Sequence, residues 1–249
     1  MYVGSACEYA MPESIDDLRA TCGARNKLLV ASLKEDTHSV ELHKLTQGLA
    51  FLVCIWRLVV LPVLGPGDYA KGRMTEPLLV ENLDLDTVNL AKRFAVVNGL
   101  TRDGSPKLRA VDSETAAGTN PCTQPAEKLS NDSLDKLVAC IMMFYALTGA
   151  LPSLWKADID SAFRRVPIVP SQRWVAWVTY MVNGEKWAAG HLAAPFGAVG
   201  SVHAWHRIGA LISALARKLL RLPVLRHVPV SCIRIAYPEC SLVYVQVCR

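Results

Sequence analysis

Two dipeptides restrict the fold of this chain more than anything else in its 249 residues. Asn183-Gly184 lies between the apolar runs "WVAWVTYMV" and "WAAGHL", and Asp103-Gly104 lies between "RFAVVNGL" and "KLRAV". Both dipeptides accept the positive φ that a tight turn between two right-twisted strands requires, so each predicts an antiparallel hairpin. The second turn, Arg102 to Ser105, is longer than the two-residue ideal. Its tip carries Arg102, Lys107 and Arg109.

Helical patterns surround these hairpins. "SIDDLRATCGARNKLL" offers Ser14 as an N-cap with Gly23 as an interruption, and "SVELHKLTQGL" follows as a second amphipathic segment. "SNDSLDKLVACIMMFYALTG" runs from cap candidates Ser130, Asn131 and Asp132 to Gly149 with apolar residues at helical spacing. "VHAWHRIGALISALARKLLRLP" divides into an apolar face of Trp205, Ile208, Leu211, Ile212, Leu215 and Leu219 and a polar face of His206, Arg207, Arg217, Lys218 and Arg221. The last stretch alternates weakly and predicts a strand pair around Pro238-Glu239. Helices and hairpins in irregular order point to an α+β fold rather than a βαβ alternation. The chain divides into a helical lead-in (1–48), an apolar insert with a Gly/Pro linker (49–77), a main region (78–226) and a tail of different character (227–249).

Apolar residues at 51% and charged residues at 20% exclude wholesale disorder and require a core. The net charge of +5 is modest, but its distribution is uneven. From Ser161 onward the only acids are Glu185 and Glu239, which leaves a basic C-terminal third suited to a polyanion. Eight cysteines without a Cys-x-x-Cys spacing, and an opening without a basic and apolar leader, predict reduced thiols in an intracellular protein, cytoplasmic or nuclear and not secreted. The apolar run 49–64 is interrupted by Arg57 and Pro62 and is shorter than the roughly 20 residues of a spanning helix. It reads as a buried or inserted segment, with a membrane-associated protein as the alternative.

Chemistry is concentrated in "LWKADIDSAFRRVPI". This segment reads as a strand that turns at Ser161-Ala162-Phe163, so Asp158 and Asp160, two apart, would share one face at its end. Adjacent carboxylates raise one another's pKa unless a cation lies between them, and hard divalent ions favour such oxygen sites. A strand end with a helix-capping aspartate is the plainer reading of the same pair.

"ADIDSAF" followed by two arginines resembles motif A of reverse transcriptases. The resemblance implies that Asp158 is the ligand shared by two catalytic metals and that Phe163 lies under the incoming sugar, excluding a 2′-hydroxyl. "RDGSPKLRAVDSETAAGTN" is similar to the fingers hairpin of that family, with Arg102 and Arg109 at the places that hold the triphosphate and Asn120 at the downstream Asn. "APFGAVGS" resembles the loop of motif B, with Phe196 and Gly197 beside template and nucleotide, and the helix from 202 stands where the family has a palm helix. These stretches cover about residues 93–226 in the family's order. They imply a right-hand polymerase fragment of fingers and palm, with an antiparallel palm sheet backed by helices. The implied partners are an RNA or DNA template-primer and deoxynucleotides, with Arg207, Arg217, Lys218 and Arg221 toward nucleic acid, and the implied cofactor is Mg2+ or Mn2+ at Asp158 and Asp160.

One motif of that family is missing. Motif C, an aromatic-x-Asp-Asp turn, belongs soon after the motif B helix, but "LPVLRHVPV" stands there. His227 and Val228 fall at the aromatic and spacer places and Pro229 and Val230 at the two aspartates, and no Asp follows Asp160. The expectation is a reverse-transcriptase-like chain, truncated or rearranged, without polymerase activity. A non-catalytic nucleic-acid-binding protein using the same basic surface is the alternative. His203 and the cysteines read as surface and structural residues, because no Cys-x-x-Cys partner supports a zinc site.

Overall fold

The computed structural model describes residues 12–47, 67–101, 104–159, 161–219, 224–227 and 231–236. They form two compact units, one of Met1–Gln124 with Pro167–Val199 and one of Pro125–Val166 with Gly200–Arg249. The architecture is mixed α+β, so the class read from the hairpins and helical patterns holds. Among the described residues no helix is long and apolar enough to cross a membrane; the run 49–64 lies outside them.

The first unit is built on a five-stranded sheet backed by helices. Its helices are α1 (Ile15–Ser32) and α2 (Ser39–Gln47), and its strands are β1 (Leu78–Leu79), β2 (Leu90–Leu100), β3 (Pro106–Asp112), β5 (Trp177–Val182) and β6 (Glu185–Gly190). The strand order is β1-β6-β5-β2-β3. Both hairpins predicted from the turn dipeptides are present, β2 with β3 and β5 with β6, each antiparallel. Asn183 and Gly184 take φ values of 52° and 78°, as such a turn requires. The hairpins join through a parallel pairing of Leu90–Lys92 with Trp177–Thr179, which makes the sheet mixed.

Side-chain alternation explains why both faces of this sheet are covered. Ala91, Val178 and Ala189 lie in one cross-strand row and pack with Met74 and Ala117. Val80, Val88, Leu90 and Ala188 form a second cluster, against which Leu29 and Val30 of α1 pack. Within the described part of the 65–77 segment Met74 is buried in the core: it bridges His191, and Arg73 O accepts from Leu192 N and Ala193 N at 2.8 and 3.1 Å. Gly23 does not interrupt α1. The helix runs through it, and the absence of a Cβ there makes room for the Asp86 carboxylate. Three residues on, buried Asn26 donates to Leu85 O and Val88 O at 2.8 and 2.6 Å and accepts from Leu90 N at 3.0 Å, fixing the start of β2.

The second unit contains α3 (Leu134–Thr148), β4 (Ser153–Asp158), α4 (Val199–Leu219, from Gly200 on), β7 (Val224–His227) and β8 (Ser231–Ala236). Its antiparallel sheet has the order β4-β8-β7. The described strand of the tail is β8, which pairs with β7; the pair expected around Pro238-Glu239 lies outside the described residues. α3 is capped by the Ser133 hydroxyl, which accepts from Lys136 N, and ends on Gly149 at φ 69°, yet none of its residues is buried.

The apolar face predicted for α4 is corrected. Of its six members only Trp205 is buried, while Leu211, Ile212, Leu215 and Leu219 are exposed. The buried residues are Ser201, Trp205 and Ser213, in one row with Gly209 at a spacing of four; Arg217, the next position in that row, is exposed. A Cβ on Gly209 would lie 3.4 Å from Arg226 Cδ, and Arg217 Nε donates to Val224 O at 2.7 Å. Small residues on this row admit the long Arg226 side chain, a reason that hydrophobic periodicity does not register.

Candidate functional site

In the first unit the chain leaves β3 at Asp112 and turns back through 113–123 by backbone bonds, among them Thr119 N to Glu114 O at 3.0 Å. This turn meets the segment after β6. Asn120 Nδ2 donates to Gly197 O at 2.9 Å, and Asn120 Oδ1 accepts from Val199 N at 2.8 Å. Gly197 has φ 95°, and a Cβ on it would lie 2.9 Å from the Asp112 carbonyl oxygen and 3.7 Å from Glu114 Cγ. Only glycine fits that approach.

Beneath Gly197 is a buried charged cluster. Arg93 donates from Nε and Nη2 to the two Asp112 carboxylate oxygens at 2.7 and 3.0 Å, and His191 Nε2 lies 3.0 Å from Asp112 Oδ2. Arg93 Nη1 also donates to Thr46 Oγ1 at 3.2 Å, linking α2 to the cluster. Burial works to raise the Asp112 carboxyl, but the Arg93 charge and the His191 contact override it and hold the group well below the usual carboxylate range. Glu114 differs. It is 2% exposed, neither carboxylate oxygen has a hydrogen-bond partner at normal geometry, and burial together with the Asp112 charge pushes it up to about 7; a weak interaction with the Thr119 hydroxyl opposes the rise. Asp112, Glu114 and His191 offer ligand atoms within 4.8 Å of one another, a group that can hold a metal ion.

The sequence-predicted residues are distributed between the two units. Arg102 lies outside the described residues. Lys107 and Arg109, both exposed, stand two apart on β3 and so share a face. The Asn98 amide, with its oxygen toward Arg109, accepts from Nη1 and Nε at 2.9 and 2.8 Å. Phe196 is 46% exposed beside Gly197. The metal-capable cluster itself carried no functional reading in the sequence. Asp112-Ser-Glu114 has the same one-residue spacing as the Asp158/Asp160 pair, and His191 directly follows an apolar strand; those were the signals present.

In the second unit β4 ends on Asp158, and the chain turns through Ser161 at φ 53° into a single 3-10 turn, Ala162–Arg165. Phe163 is buried, 9% exposed, and its carbonyl accepts from Val166 N at 3.0 Å. Asp158 is in register with Ser231, and Ser231 with His227. The end of β4, the end of β7 and the start of β8 therefore share one end of one sheet. Asp160, Arg221, Pro229 and Val230 lie outside the described residues.

Two of the cationic residues predicted for nucleic acid hold acids instead. Arg207 Nε donates to Glu127 Oε1 at 2.6 Å, and Arg217 Nη2 donates to Asp132 Oδ2 at 2.8 Å. Lys218 is exposed in the last turn of α4. Arg226, absent from that prediction, donates to His206 O at 2.7 Å and to Ser130 O at 2.5 Å. Compared with known proteins, the chain matches no family model and no curated protein.

Proposed function

We propose that this chain is a reverse-transcriptase-like domain, fingers and palm of a right-hand polymerase, that binds nucleic acid and lacks polymerase activity. One observation carries the reading. The register of β4, β8 and β7 brings His227 and Ser231 to the end of the sheet at which Asp158 stands. In the family that the motifs resemble, this is where two strands contribute carboxylates to one pair of metals. The unit division agrees: the hairpin with Arg109 and the Phe196-Gly197 loop belong to one unit, and the strand bearing Asp158 and helix α4 to the other.

The residues at that end do not fit a two-metal centre. His227-Val228-Pro229-Val230-Ser231 supplies no carboxylate to face Asp158, and hard divalent ions need several oxygen ligands. No catalytic step through magnesium or manganese follows. The remaining chemistry is binding, by the exposed cations on β3 and α4.

The test is a gain of function. Replacing Pro229→Asp and Val230→Asp together is expected to create a Mn2+ site, read by electron paramagnetic resonance, that disappears when Asp158→Asn is added. The unaltered chain is expected to bind a primer-template in a salt-dependent manner and to extend it with neither ion. A double variant whose ion binding is indifferent to Asp158, or extension by the unaltered chain, would sink the proposal.

A further inference from the structure

We propose that Asp112, Glu114 and His191 bind one divalent transition-metal ion of the zinc class, which ties the end of β3 to the end of β6. The site is independent of the polymerase reading and lies wholly within the first unit.

Glu114 supplies the reason. Both of its oxygens are buried and, apart from the weak interaction with the Thr119 hydroxyl, without a hydrogen-bond partner, in a side chain 2% exposed that stands beside a second carboxylate and an imidazole. Arg93 neutralises Asp112, so an ionised Glu114 leaves one negative charge in excess inside the protein. A proton removes that charge but supplies no partners for the carboxyl group, and an unsatisfied buried polar group is costly. A cation does both. One Glu114 oxygen, one Asp112 oxygen and His191 Nε2 make three donor atoms, the protein-ligand number of a zinc site that keeps one position open.

The geometry is close to what an ion needs. Ligand atoms about 2.1 Å from a tetrahedral zinc are roughly 3.4 Å apart. His191 Nε2 and Asp112 Oδ2 are 3.0 Å apart and one ligand atom from each of the three residues lies within 4.8 Å of the others, so side-chain movement of roughly 1.4 Å closes the site. Arg93, bonded to both Asp112 oxygens at 2.7 and 3.0 Å, would then be the outer partner that orients a ligating carboxylate. The imidazole and the burial select against magnesium, which prefers oxygen and keeps several of its waters.

The experiment is titration of the chelator-stripped full chain with Zn2+, by calorimetry and thermal melting, and with Co2+, by absorption. One ion per chain is expected to bind with the cysteines blocked, to raise the melting temperature and to persist in a large excess of Mg2+. The Co2+ spectrum should lack thiolate charge transfer. Glu114→Gln, nearly isosteric, is expected to weaken Zn2+ binding at least a hundredfold, and His191→Gln to do the same. Binding that survives both substitutions, a Co2+ spectrum dominated by thiolate, or no Zn2+-induced stabilisation of the unaltered chain would each overturn the proposal; the last would leave Glu114 as a proton-holding group only.

Discussion

Glu114 and Arg93 show how much of this molecule turns on single buried charges. In the metal-free protein the Glu114 carboxyl is raised from 4.5 to about 7, so the folded chain keeps a proton that the unfolded chain releases across that interval. The folded state then binds more protons than the unfolded one, and stability falls as pH rises from about 4.5 to about 7, levelling off above that value. The loss from this group is on the order of 3 kcal/mol. Denaturant unfolding at intervals between these pH values is expected to show the decline in the native protein and a flatter profile in Glu114→Gln. Arg93→Ala would act differently, leaving Asp112 ionised and buried with His191 and a second carboxyl group, Glu114, beside it. A cost of about 3–5 kcal/mol is expected, measurable as a lowered urea midpoint.

At the scale of elements, the glycines at 184 and 197 separate two causes of strain. Gly184 has φ 78° and open space where a Cβ would stand, with nothing within 4 Å, whereas Gly197 has φ 95° and the Asp112 carbonyl oxygen 2.9 Å from that position. Gly184→Ala is expected to cost about 1–2 kcal/mol from backbone conformation alone. Gly197→Ala adds the steric conflict and is expected to cost roughly twice as much. Thermal melts of the two variants check the ranking. These positions also mark what local sequence discloses. Asn183-Gly184 announced its turn through the residues' own φ preferences, but the contact of Gly197 with the Asp112 carbonyl joins segments 85 positions apart, and no local pattern contains it. Helix α4 teaches the same lesson: its Leu residues gave the correct period and the wrong face, because accommodation of Arg226 by Gly209 is a relation between elements.

For the molecule as a whole, the distribution of cations matters more than the net charge of +5. Arg217 is committed to Asp132 and to the Val224 carbonyl, while Lys218 beside it is exposed. Lys218→Ala is therefore expected to weaken binding to a nucleic-acid duplex and to reduce the salt slope by about 1, measured by fluorescence anisotropy across a salt series. Arg217→Ala is expected to lower the melting temperature of the chain instead, because it removes an ion pair and a bond to β7.

The sequence by itself determined the element types, both hairpins, the end of α3 at Gly149 and the lack of a carboxylate at 227–231, since these follow from φ preference, period and composition over short spans. Tertiary structure alone decided that the hairpins join through a parallel pairing, that Met74 enters the core, and that Asp158 lies in register with Ser231. It alone also gathered Arg93, Asp112, Glu114 and His191 into one buried cluster. The physical reason is range: a burial penalty on a charge depends on which distant segments close over it, and the chain carries no local mark of that closure.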